Sequence, residues 1–440
     1  MQKKRYVLVG TGSRSYMYTT ALMSTHKDAG ELLALCDTNQ TRMNYANELI
    51  STKFGAAPRP TYPAHEFDRM ILEQKPDAVI VTSMDRTHHT YICKAMELGC
   101  DVVTEKPMTV DEEKAQQIID TVSRTGKDLK VTFNYRYSPR NTRVKELLLS
   151  GEIGDVLSVH FEWLLDTVHG ADYFRRWHRD KANNGGLLVH KSTHHFDLMN
   201  WWLASDPELV FALGGLMFYG RQNAESRGVT SFYERAQGSE AAKSDPFALH
   251  LDQDENLKRM YLDAEHEDGY HRDQSVFGYN ISTEDTMGLL VRYRNHAIMT
   301  YSLNAYCPWE GYRVMFNGTK GRLEFNVVEK PYVSGAENDT NRAENRAHDE
   351  VPEMNVPMIL VHHHWKKPYA VEVNEALGGH GGGDVRMLDH IFRGASDDPL
   401  GHAAGYRDGA MSILTGIAGN RSMASGLPIR IGSLVNLPEA

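Results

Sequence analysis

The sequence predicts a doubly wound, parallel α/β fold in the N-terminal part and an α+β fold with an open, mainly antiparallel β-sheet in the C-terminal part. Apolar strand segments alternate with helical segments up to about residue 135, and strand segments dominate beyond about residue 150. A chain of 440 residues is also longer than one hydrophobic core usually serves. We therefore expect one domain over residues 1–135 and a second over residues 136–440.

The N-terminal part has the strand–helix rhythm of a parallel sheet. The predicted strands cover residues 5–10, 31–37, 77–83, 101–104 and 129–134. Helices are predicted from the turn after the first strand to about residue 26, over residues 40–54 and 88–98, and up to about residue 125. Thr109, with Glu112 three residues later, is the expected N-cap of the last of these helices.

The C-terminal part has longer strand segments and two weakly periodic stretches. The predicted strands are 156–165, 209–218, 286–293, 296–305, 312–317 and 321–327, and a mostly buried helix is predicted over residues 186–203. Residues 219–275 and 328–382 are polar and look like insertions. We interpret them as substrate-pocket walls, with solvated or subunit-contact loops as the alternative; their candidate wall residues are Tyr219, Arg221, Tyr233, Tyr270, Arg272 and Trp365.

Composition and charge exclude several classes of protein. The net charge of −10 gives no basic surface for nucleic acid or an anionic membrane. The sequence has no apolar run of about 18 residues, so no membrane span is expected. The four cysteines form no CxxC pair, which is typical of a protein from a reducing compartment. We expect a cytoplasmic protein.

A glycine-rich turn connects the first predicted strand to the first predicted helix. Its sequence is Gly10-Thr11-Gly12-Ser13-Arg14-Ser15. The first glycine permits a tight turn, the second lets the backbone approach a pyrophosphate, and the small Ser15 replaces the usual third glycine. The free N–H groups of the helix N-terminus attract an anion. This pattern predicts a Rossmann fold that binds a dinucleotide.

Asp37 ends the second predicted strand, 25 residues after Gly12. A carboxylate at this place accepts hydrogen bonds from the hydroxyls of the adenine ribose and repels a 2′-phosphate. NAD is therefore the expected cofactor and NADP is less favoured. Arg14 and Arg42 could offset this repulsion, and the use of both cofactors stays open.

Lys106 follows the strand 101–104 directly, at the carboxyl end of the predicted parallel sheet. Oxidation of an alcohol needs a proton acceptor beside the reacting carbon. Burial near a cationic nicotinamide would lower the pKa of a lysine and suit it to this role. The alternative for Lys106 is a surface lysine after a strand.

A second group of polar residues lies in the predicted helix 186–203. On a continuous helix, His190, His194 and Asp197 share one face, and Lys191 lies next to it. Such a helix would present two imidazoles and an ammonium group to a pocket; the alternative is a set of hydrogen-bonded core histidines. The spacing of His190 and His194 also suits zinc, but the HExxH glutamate is missing and no metal is expected.

These motifs together resemble the Gfo/Idh/MocA family of NAD(P)-dependent oxidoreductases. The resemblance is carried by the GxGxxS turn, by Glu105-Lys106-Pro107, and by a segment in which two glycines precede the HxxxHxxD pattern of residues 190–197. It covers the first 210 residues and continues more loosely through Tyr301–Glu324. It implies a Rossmann domain that binds NAD or NADP, and a second domain that binds substrate and often forms the interface of a dimer or tetramer.

The resemblance also implies roles for single residues. Lys106 would position the substrate hydroxyl, Glu105 would border the nicotinamide, and His194 would act as acid, base or substrate ligand. The family often has aspartate where this chain has His190, and Lys191 is a candidate compensating cation. The residues expected near cofactor or substrate are Gly10, Gly12, Ser13, Arg14, Ser15, Asp37 and Arg136 for the cofactor, and Tyr135, Trp177 and His178 for the substrate.

The function predicted from these residues is hydride transfer between the nicotinamide of NAD and a hydroxyl carbon of a sugar or cyclitol. An NAD-dependent glycoside hydrolase is the first alternative, because transient oxidation, elimination and water addition need the additional acid and base groups of the histidine segment. A non-catalytic sugar-binding or regulatory protein is the second. The expected partners are a small carbohydrate and further copies of the chain, without nucleic acid or membrane.

Overall fold

A computed structural model describes residues 3–333, 358–373, 381–394 and 397–437. Its first sheet has six strands in the order β3-β2-β1-β4-β5-β6, and all of their pairings are parallel. The strands are β1 (Lys4–Val9), β2 (Gly30–Asp37), β3 (Thr61–Pro63), β4 (Ala78–Val81), β5 (Asp101–Thr104) and β6 (Leu129–Val131). This order is that of a Rossmann fold, as predicted.

Five helices connect these strands. They are α1 (Ser15–Met23), α2 (Gln40–Phe54), α3 (Phe67–Gln74), α4 (His88–Glu97) and α5 (Glu112–Thr125). The predicted cap of α5 is wrong: Asp111 is the N-cap, and its carboxylate accepts a hydrogen bond from the Lys114 N–H. Thr109 lies fully buried before the helix. An aspartate one position before the helix satisfies an otherwise unpaired N–H group, which Thr109 is too distant to do.

The second sheet has nine strands in the order β14-β13-β12-β11-β7-β10-β9-β8-β15. The strands are β7 (Val156–Asp166), β8 (Pro207–Gly215), β9 (Thr286–Tyr293), β10 (Ile298–Cys307), β11 (Glu310–Gly318), β12 (Gly321–Lys330), β13 (Met358–His363), β14 (Tyr369–Val371) and β15 (Ile429–Arg430). β7 and β10 pair in parallel, and the other neighbours pair antiparallel. The prediction of a mainly antiparallel sheet is confirmed.

Among the described residues, the C-terminal part has ten α-helices, which pack against both sheets. They are α6 (Pro139–Leu149), α7 (Thr167–Arg175), α8 (Lys181–Asn184), α9 (Leu187–His190), α10 (Thr193–Leu203), α11 (Arg221–Ser226), α12 (Glu255–Leu257), α13 (Glu265–Asp268), α14 (Gly383–Arg393) and α15 (Tyr406–Ser425). The long, buried α15 contacts α5 and β6 on one side and α9, α10 and β8 on the other.

The predicted helix over residues 186–203 is interrupted. It begins as α9, ends at His190, and resumes as α10 after a turn at Lys191 and Ser192. His190 therefore closes one helix while His194 lies in the first turn of the next. The spacing rule for one continuous helix does not apply to this pair.

Parts of the two predicted insertions are not loops. Within residues 328–382, β13 and β14 extend the second sheet, so this part of the stretch is sheet edge. The side chain of Trp365, between these two strands, is fully exposed. In the other insertion, Tyr219 is fully buried, and its hydroxyl donates to the Ala305 carbonyl. Neither residue therefore forms the wall of a pocket. The remaining residues of this stretch, 334–357 and 374–380, lie outside the described residues.

The helix α14 returns from the C-terminal part to the first sheet. The ring of Phe392 packs edge-on against Tyr6, with centroids 5.2 Å apart, and contacts the His26 ring. Leu388 joins the same apolar cluster, and Asp389 pairs with the His26 imidazole at 3.0 Å. The N-terminal Rossmann sheet is therefore completed by a helix that comes almost 400 residues later.

In the described ranges, no helix combines the length and the apolar character that crossing a lipid bilayer requires.

Candidate active site

The glycine turn follows β1 as the sequence predicts, and Gly10 adopts a φ of +93°. A Cβ atom at Gly10 would lie 2.5 Å from the backbone nitrogen of Ser83, so this position accepts only glycine. At Gly12 the nearest atom would be 3.8 Å from a Cβ, which leaves room for a ligand to approach the backbone. The buried Ser15 donates its hydroxyl proton to the Gly12 carbonyl and stabilises the turn at the start of α1.

Tyr261, from the insertion 219–275, lies over this turn. Its hydroxyl is 3.2 Å from the Ser13 backbone nitrogen, which donates to it, and 2.6 Å from the Ser13 Oγ. The N–H of Ser13 is one of the groups that a pyrophosphate would need. The sequence did not predict this contact, because 248 residues separate the two partners.

The carboxylate of Asp37 is buried at the end of β2 and organises the turn. One oxygen accepts from the N–H of Thr11 at 2.5 Å and from its hydroxyl at 2.8 Å. The other accepts from the N–H of Asn39 at 3.0 Å and contacts the Thr38 hydroxyl. Asp37 thus couples the end of β2 to the glycine turn, on the side where a ribose would lie.

Glu105 lies just after β5 and forms a buried ionic cluster with α1. One of its oxygens accepts from the Arg14 guanidinium and from the Tyr18 hydroxyl, both at 2.7 Å. Burial by itself raises the pKa of the Glu105 carboxyl, but Arg14 and Tyr18 outweigh it and hold that pKa below its usual value. Arg14 is therefore committed to Glu105, on the same edge of the sheet as the glycine turn.

The ammonium group of Lys106 lies between the two domains. Its Nζ donates to the backbone carbonyl of His190 at 3.4 Å. Burial lowers the pKa of Lys106 to about 8; the carboxylates of Asp85 and Glu105 oppose this shift, and the ammonium of Lys191 adds to it. A lysine with such a pKa exchanges a proton near neutral pH, as a general base requires.

Asp85, His178 and His190 form a buried cluster beside Lys106. A short hydrogen bond joins His190 Nδ1 to Asp85 Oδ2, and one ligand atom from each of the three residues lies within 4.8 Å of the others. Burial lowers the pKa of both imidazoles and raises the pKa of the Asp85 carboxyl. The guanidinium of Arg176 contacts His178 Nε2 directly, so a cation already adjoins the cluster.

Sequence reasoning missed Asp85. It follows β4 by four residues, at the same carboxyl edge of the sheet as Lys106 after β5. The position of a carboxylate just after a buried parallel strand is the signal that could have found it.

His194 and Tyr135 lie together, at the other end of this region. Their rings meet edge-on with centroids 4.9 Å apart, and Tyr135 also packs on Trp163. The Lys191 ammonium is 5.3 Å from the centre of the same Trp163 ring. His190 and His194 therefore have different neighbours, although both lie on the segment that the sequence singled out.

Arg136 belongs to the protein interior. It forms a two-pronged ion pair with Asp197, at 2.6 and 2.8 Å, and further bonds to Asp408 and to the Gly401 carbonyl. The expectation that Arg136 faces the cofactor finds no support in these contacts, because its donors are used in joining β6 to α10 and α15. Asp197 is likewise a partner of Arg136 and not a third group on a pocket-facing helix surface.

Trp177 and His178 lie on a turn that borders a cavity of about 370 Å³. The Trp177 ring lines this cavity with Tyr270 and Tyr279 and packs against the His178 ring at 3.6 Å. His178 itself is fully buried, and its Nδ1 lies 3.1 Å from the side-chain nitrogen of Asn184. Of the two predicted substrate residues on this turn, the half-buried Trp177 lines the cavity, whereas the imidazole of His178 is internal and lies next to Asp85.

Two family models match almost the whole chain. The model described as "Oxidoreductase family, NAD-binding Rossmann fold" of GFO/IDH/MocA proteins matches residues 4–133, and the model of the family's C-terminal alpha/beta domain matches residues 145–431. The chain belongs to the Gfo/Idh/MocA oxidoreductase family. The family resemblance found in the sequence is therefore confirmed, and with it the pairing of a Rossmann domain with a second sheet domain.

Members of the Gfo/Idh/MocA family resemble the chain over different lengths. The protein YteT of Bacillus subtilis (strain 168) is 35% identical, and the match covers 99% of each chain. The D-glucoside 3-dehydrogenase of Escherichia coli (strain K12) is 31% identical over 34% of this chain and 41% of its own. The crystal structure of the WlbA dehydrogenase of Bordetella pertussis, in complex with NADH and UDP-GlcNAcA, has a TM-score of 0.61 at 18% identity and covers 98% of this chain and 99% of its own.

The candidate site of this Gfo/Idh/MocA oxidoreductase thus has three parts. The glycine turn and Asp37 form the first part. Lys106 with the buried Asp85, His178 and His190 forms a cluster of titratable groups. His194, Tyr135 and Lys191 form an aromatic and cationic wall around Trp163.

Proposed function

We propose that this oxidoreductase uses NAD to transfer a hydride between the nicotinamide and a hydroxyl carbon of a sugar or cyclitol. The observation that supports this most is Lys106: a half-buried ammonium group whose pKa is lowered to about 8, at the carboxyl edge of the parallel sheet and in contact with the histidine segment. The name of the E. coli relative, a D-glucoside 3-dehydrogenase, supports a carbohydrate hydroxyl as the reacting group.

The residues around the glycine turn fit NAD. The approach to the Gly12 backbone is open apart from the Tyr261 hydroxyl, and the Ser13 N–H points out of the turn. Gly10, Gly12, Ser13 and Ser15 would hold the pyrophosphate, Asp37 would lie beside the adenine ribose, and Glu105 would border the nicotinamide. Bound NAD supplies the acceptor for the hydride of the alcohol carbon.

The chain's own residues handle the proton of the alcohol. The neutral amine of Lys106 accepts the proton of the substrate hydroxyl, and the carboxylates of Asp85 and Glu105 stabilise the ammonium group that results. His194 and Lys191, on the opposite wall, orient further hydroxyls of the substrate. Lys106 is half-buried and the neighbouring Glu105 is buried, which limits the access of water to the same proton.

The test is a steady-state assay of the purified protein with NAD and a panel of aldoses, glycosides and inositols. We expect NADH to accumulate in proportion to a ketone product for at least one of them, and Lys106→Ala to abolish it. If NAD binds but no member of the panel is oxidised or exchanges its carbon-bound hydrogen, the proposal fails in favour of a sugar-binding protein.

The cluster of Asp85, His178 and His190 favours a second candidate, an NAD-dependent glycoside hydrolase. Elimination of a glycosidic substituent requires an acid for the leaving group in addition to the base for the hydroxyl, and this cluster offers more exchangeable protons than hydride transfer alone uses. The two candidates differ in redox balance. Glycoside cleavage with no net change of added NAD supports the hydrolase, whereas stoichiometric NADH excludes it.

We also propose that the chain forms a homo-oligomer through the outer face of its second sheet. Large apolar side chains are exposed on three neighbouring strands of this face, namely Leu213, Leu290 and Ile298. Exposed apolar side chains that share one sheet face mark an interaction surface. Sedimentation should give a dimer or tetramer that Leu290→Lys weakens; a monomer at all concentrations contradicts the proposal.

A further inference from the structure

A short segment of the insertion 219–275 lies along the adenosine side of the nucleotide site. It comprises α12, one π-helical turn at Lys258–Leu262 and α13. Its contacts reach from the glycine turn, through Tyr261, to the body of α2, where Tyr45 donates to Asn256 and Glu48 pairs with Arg259. The segment is therefore placed where it meets the part of a dinucleotide that distinguishes NAD from NADP.

Glu267 of this segment binds the N-terminus of α2. Its carboxylate accepts from the backbone N–H of Gln40 at 2.5 Å, from the N–H of Thr41 at 2.8 Å and from the Thr41 hydroxyl. These donors hold the pKa of Glu267 below its usual value, although burial opposes them. The first N–H groups of a 15-residue helix, which otherwise attract a phosphate, are thus taken by the chain's own carboxylate.

Asp268, the next residue, binds the nearby cation. Its carboxylate pairs with the Arg42 guanidinium at 2.6 Å and accepts from the Asn39 amide at 3.2 Å. Arg42 also donates to the Met260 carbonyl and is buried, with 9% of its side chain exposed. An arginine after the second strand is the group that accommodates a 2′-phosphate in Rossmann domains that use NADP. Here that arginine already has a carboxylate partner.

Asp37, at the end of β2, accepts from the Asn39 N–H, and the Asn39 side chain donates to Asp268, so the two carboxylates share a neighbour. If the ribose 2′-oxygen lies beside Asp37, as in other Rossmann domains, Glu267 and Asp268 add negative charge on its α2 side. A hydroxyl there can donate a hydrogen bond to a carboxylate, whereas a phosphate brings like charge and finds the helix N-terminus and Arg42 occupied. The sequence left open whether Arg42 would admit NADP. The contacts of Arg42 oppose that role.

We propose that Glu267 and Asp268 are specificity-determining residues, which make the chain select NAD over NADP by occupying the α2 N-terminus and Arg42. This inference rests on the proposed function, since it assumes that the site binds a dinucleotide. It assigns cofactor choice to an insertion of the C-terminal domain, in addition to the acidic residue at the end of β2.

The experiment measures the dissociation constants of NAD and NADP for the full-length protein by calorimetry. The variants are Glu267→Gln, Asp268→Asn and the two combined, because both substitutions keep the shape of the side chain and remove only its charge. Asp263→Asn is the matched control, since Asp263 is an exposed carboxylate of the same segment. Thermal melting of each variant verifies that it is folded.

We expect the wild-type protein and the control to prefer NAD, and the combined variant to bind NADP at least about tenfold more tightly than wild type, with little change for NAD. A gain of NADP binding cannot result from unfolding. The inference is overturned if wild type binds both cofactors equally, or if the ratio of the two constants in the combined variant stays within about twofold of wild type. If wild type binds neither dinucleotide, the proposed function itself fails.

Discussion

The Lys106 ammonium donates to the backbone carbonyl of His190, with 3.4 Å between nitrogen and oxygen. This bond joins the end of β5 in the first sheet to the end of α9 in the C-terminal domain. The proposed base and the Asp85–His190 pair are therefore held in one place by both domains, and the following predictions depend on this arrangement.

Replacement of Lys106 should separate catalysis from cofactor binding. Lys106→Ala removes the proposed base, and general base catalysis typically contributes about 10²- to 10⁴-fold to a rate. We expect kcat to fall by about this factor while the dissociation constant of NAD changes less than about threefold, because the glycine turn is untouched. Stopped-flow or steady-state NADH absorbance gives kcat, and calorimetry gives the affinity. Lys94→Ala, on the exposed side of α4, is the control; a loss confined to NAD affinity would contradict the role of Lys106.

The pH dependence should report the lowered pKa of Lys106, about 8. Below this pH the amine is protonated and cannot accept a proton, so kcat/KM for alcohol oxidation should rise about tenfold per pH unit and level off above it. Ketone reduction needs the protonated form and should decline above the same pH. The carboxylate of Asp85 raises the pKa of Lys106, so Asp85→Asn should move both profiles to lower pH. A pH profile of kcat/KM that stays flat across the pKa of Lys106 would count against Lys106 as the titrating group.

Two glycines of the same turn should respond differently to alanine. Gly10→Ala places a methyl group 2.5 Å from a backbone atom at a φ of +93°, so it should lower the free energy of unfolding by about 2 kcal/mol or more. Gly12→Ala meets nothing closer than 3.8 Å and should leave the melting temperature nearly unchanged, but weaken NAD binding because the methyl group keeps the phosphate away. Melting curves and calorimetry distinguish the two. Equal destabilisation of both variants would show that Gly12 has only a structural role.

Tyr261→Phe should strengthen the binding of NAD. The Tyr261 hydroxyl accepts the Ser13 N–H that a phosphate oxygen would otherwise use, so cofactor binding must break this bond. Removing the hydroxyl should lower the dissociation constant about fivefold, the value of one ordinary hydrogen bond of about 1 kcal/mol. Weaker binding in this variant would mean that the hydroxyl itself holds the cofactor.

Removal of divalent metal ions should not change turnover. Asp85, His178 and His190 are close enough to share an ion, but the Arg176 guanidinium contacts His178 Nε2 and repels a second cation. Activity after dialysis against a chelator should equal that of the untreated protein. A loss that zinc or manganese restores would assign this cluster to a metal.

The sequence predicted five of the six strands of the first sheet, because these are short, largely apolar and followed by a recognisable turn. It missed β3 and the helix α3 after it, since the three residues Thr61–Pro63 form no apolar run. The glycine turn, β5 and the lysine after it lie where expected. The break between α9 and α10 was not visible, because no proline or glycine marks Lys191 and Ser192 and the residues on both sides are buried. β13 and β14 were missed since residues 358–371 have few alternating apolar positions; β13 gains its order by pairing with β12, and β14 by pairing with β13.

The residues of the proposed site also divide into those that the sequence predicted and those that it did not. Lys106 and the histidine segment follow from local motifs, whereas Asp85 and the Glu267–Asp268 pair act through partners that are distant in the chain. For Arg136, the local motif and the distant contacts disagree. The motif predicted a position near the cofactor, but two carboxylates that are distant in the chain, Asp197 and Asp408, determine where the Arg136 guanidinium lies.

The return of α14 to the first sheet has a consequence for how the protein can be divided. Tyr6 and Phe392 complete one apolar layer, to which α14 also contributes Leu388. A fragment cut after β6 would leave that layer facing water and would tend to aggregate, however complete its strand order. The ribosome releases this helix after β7–β14, so the apolar layer of the first sheet cannot be completed until most of the second sheet has been made.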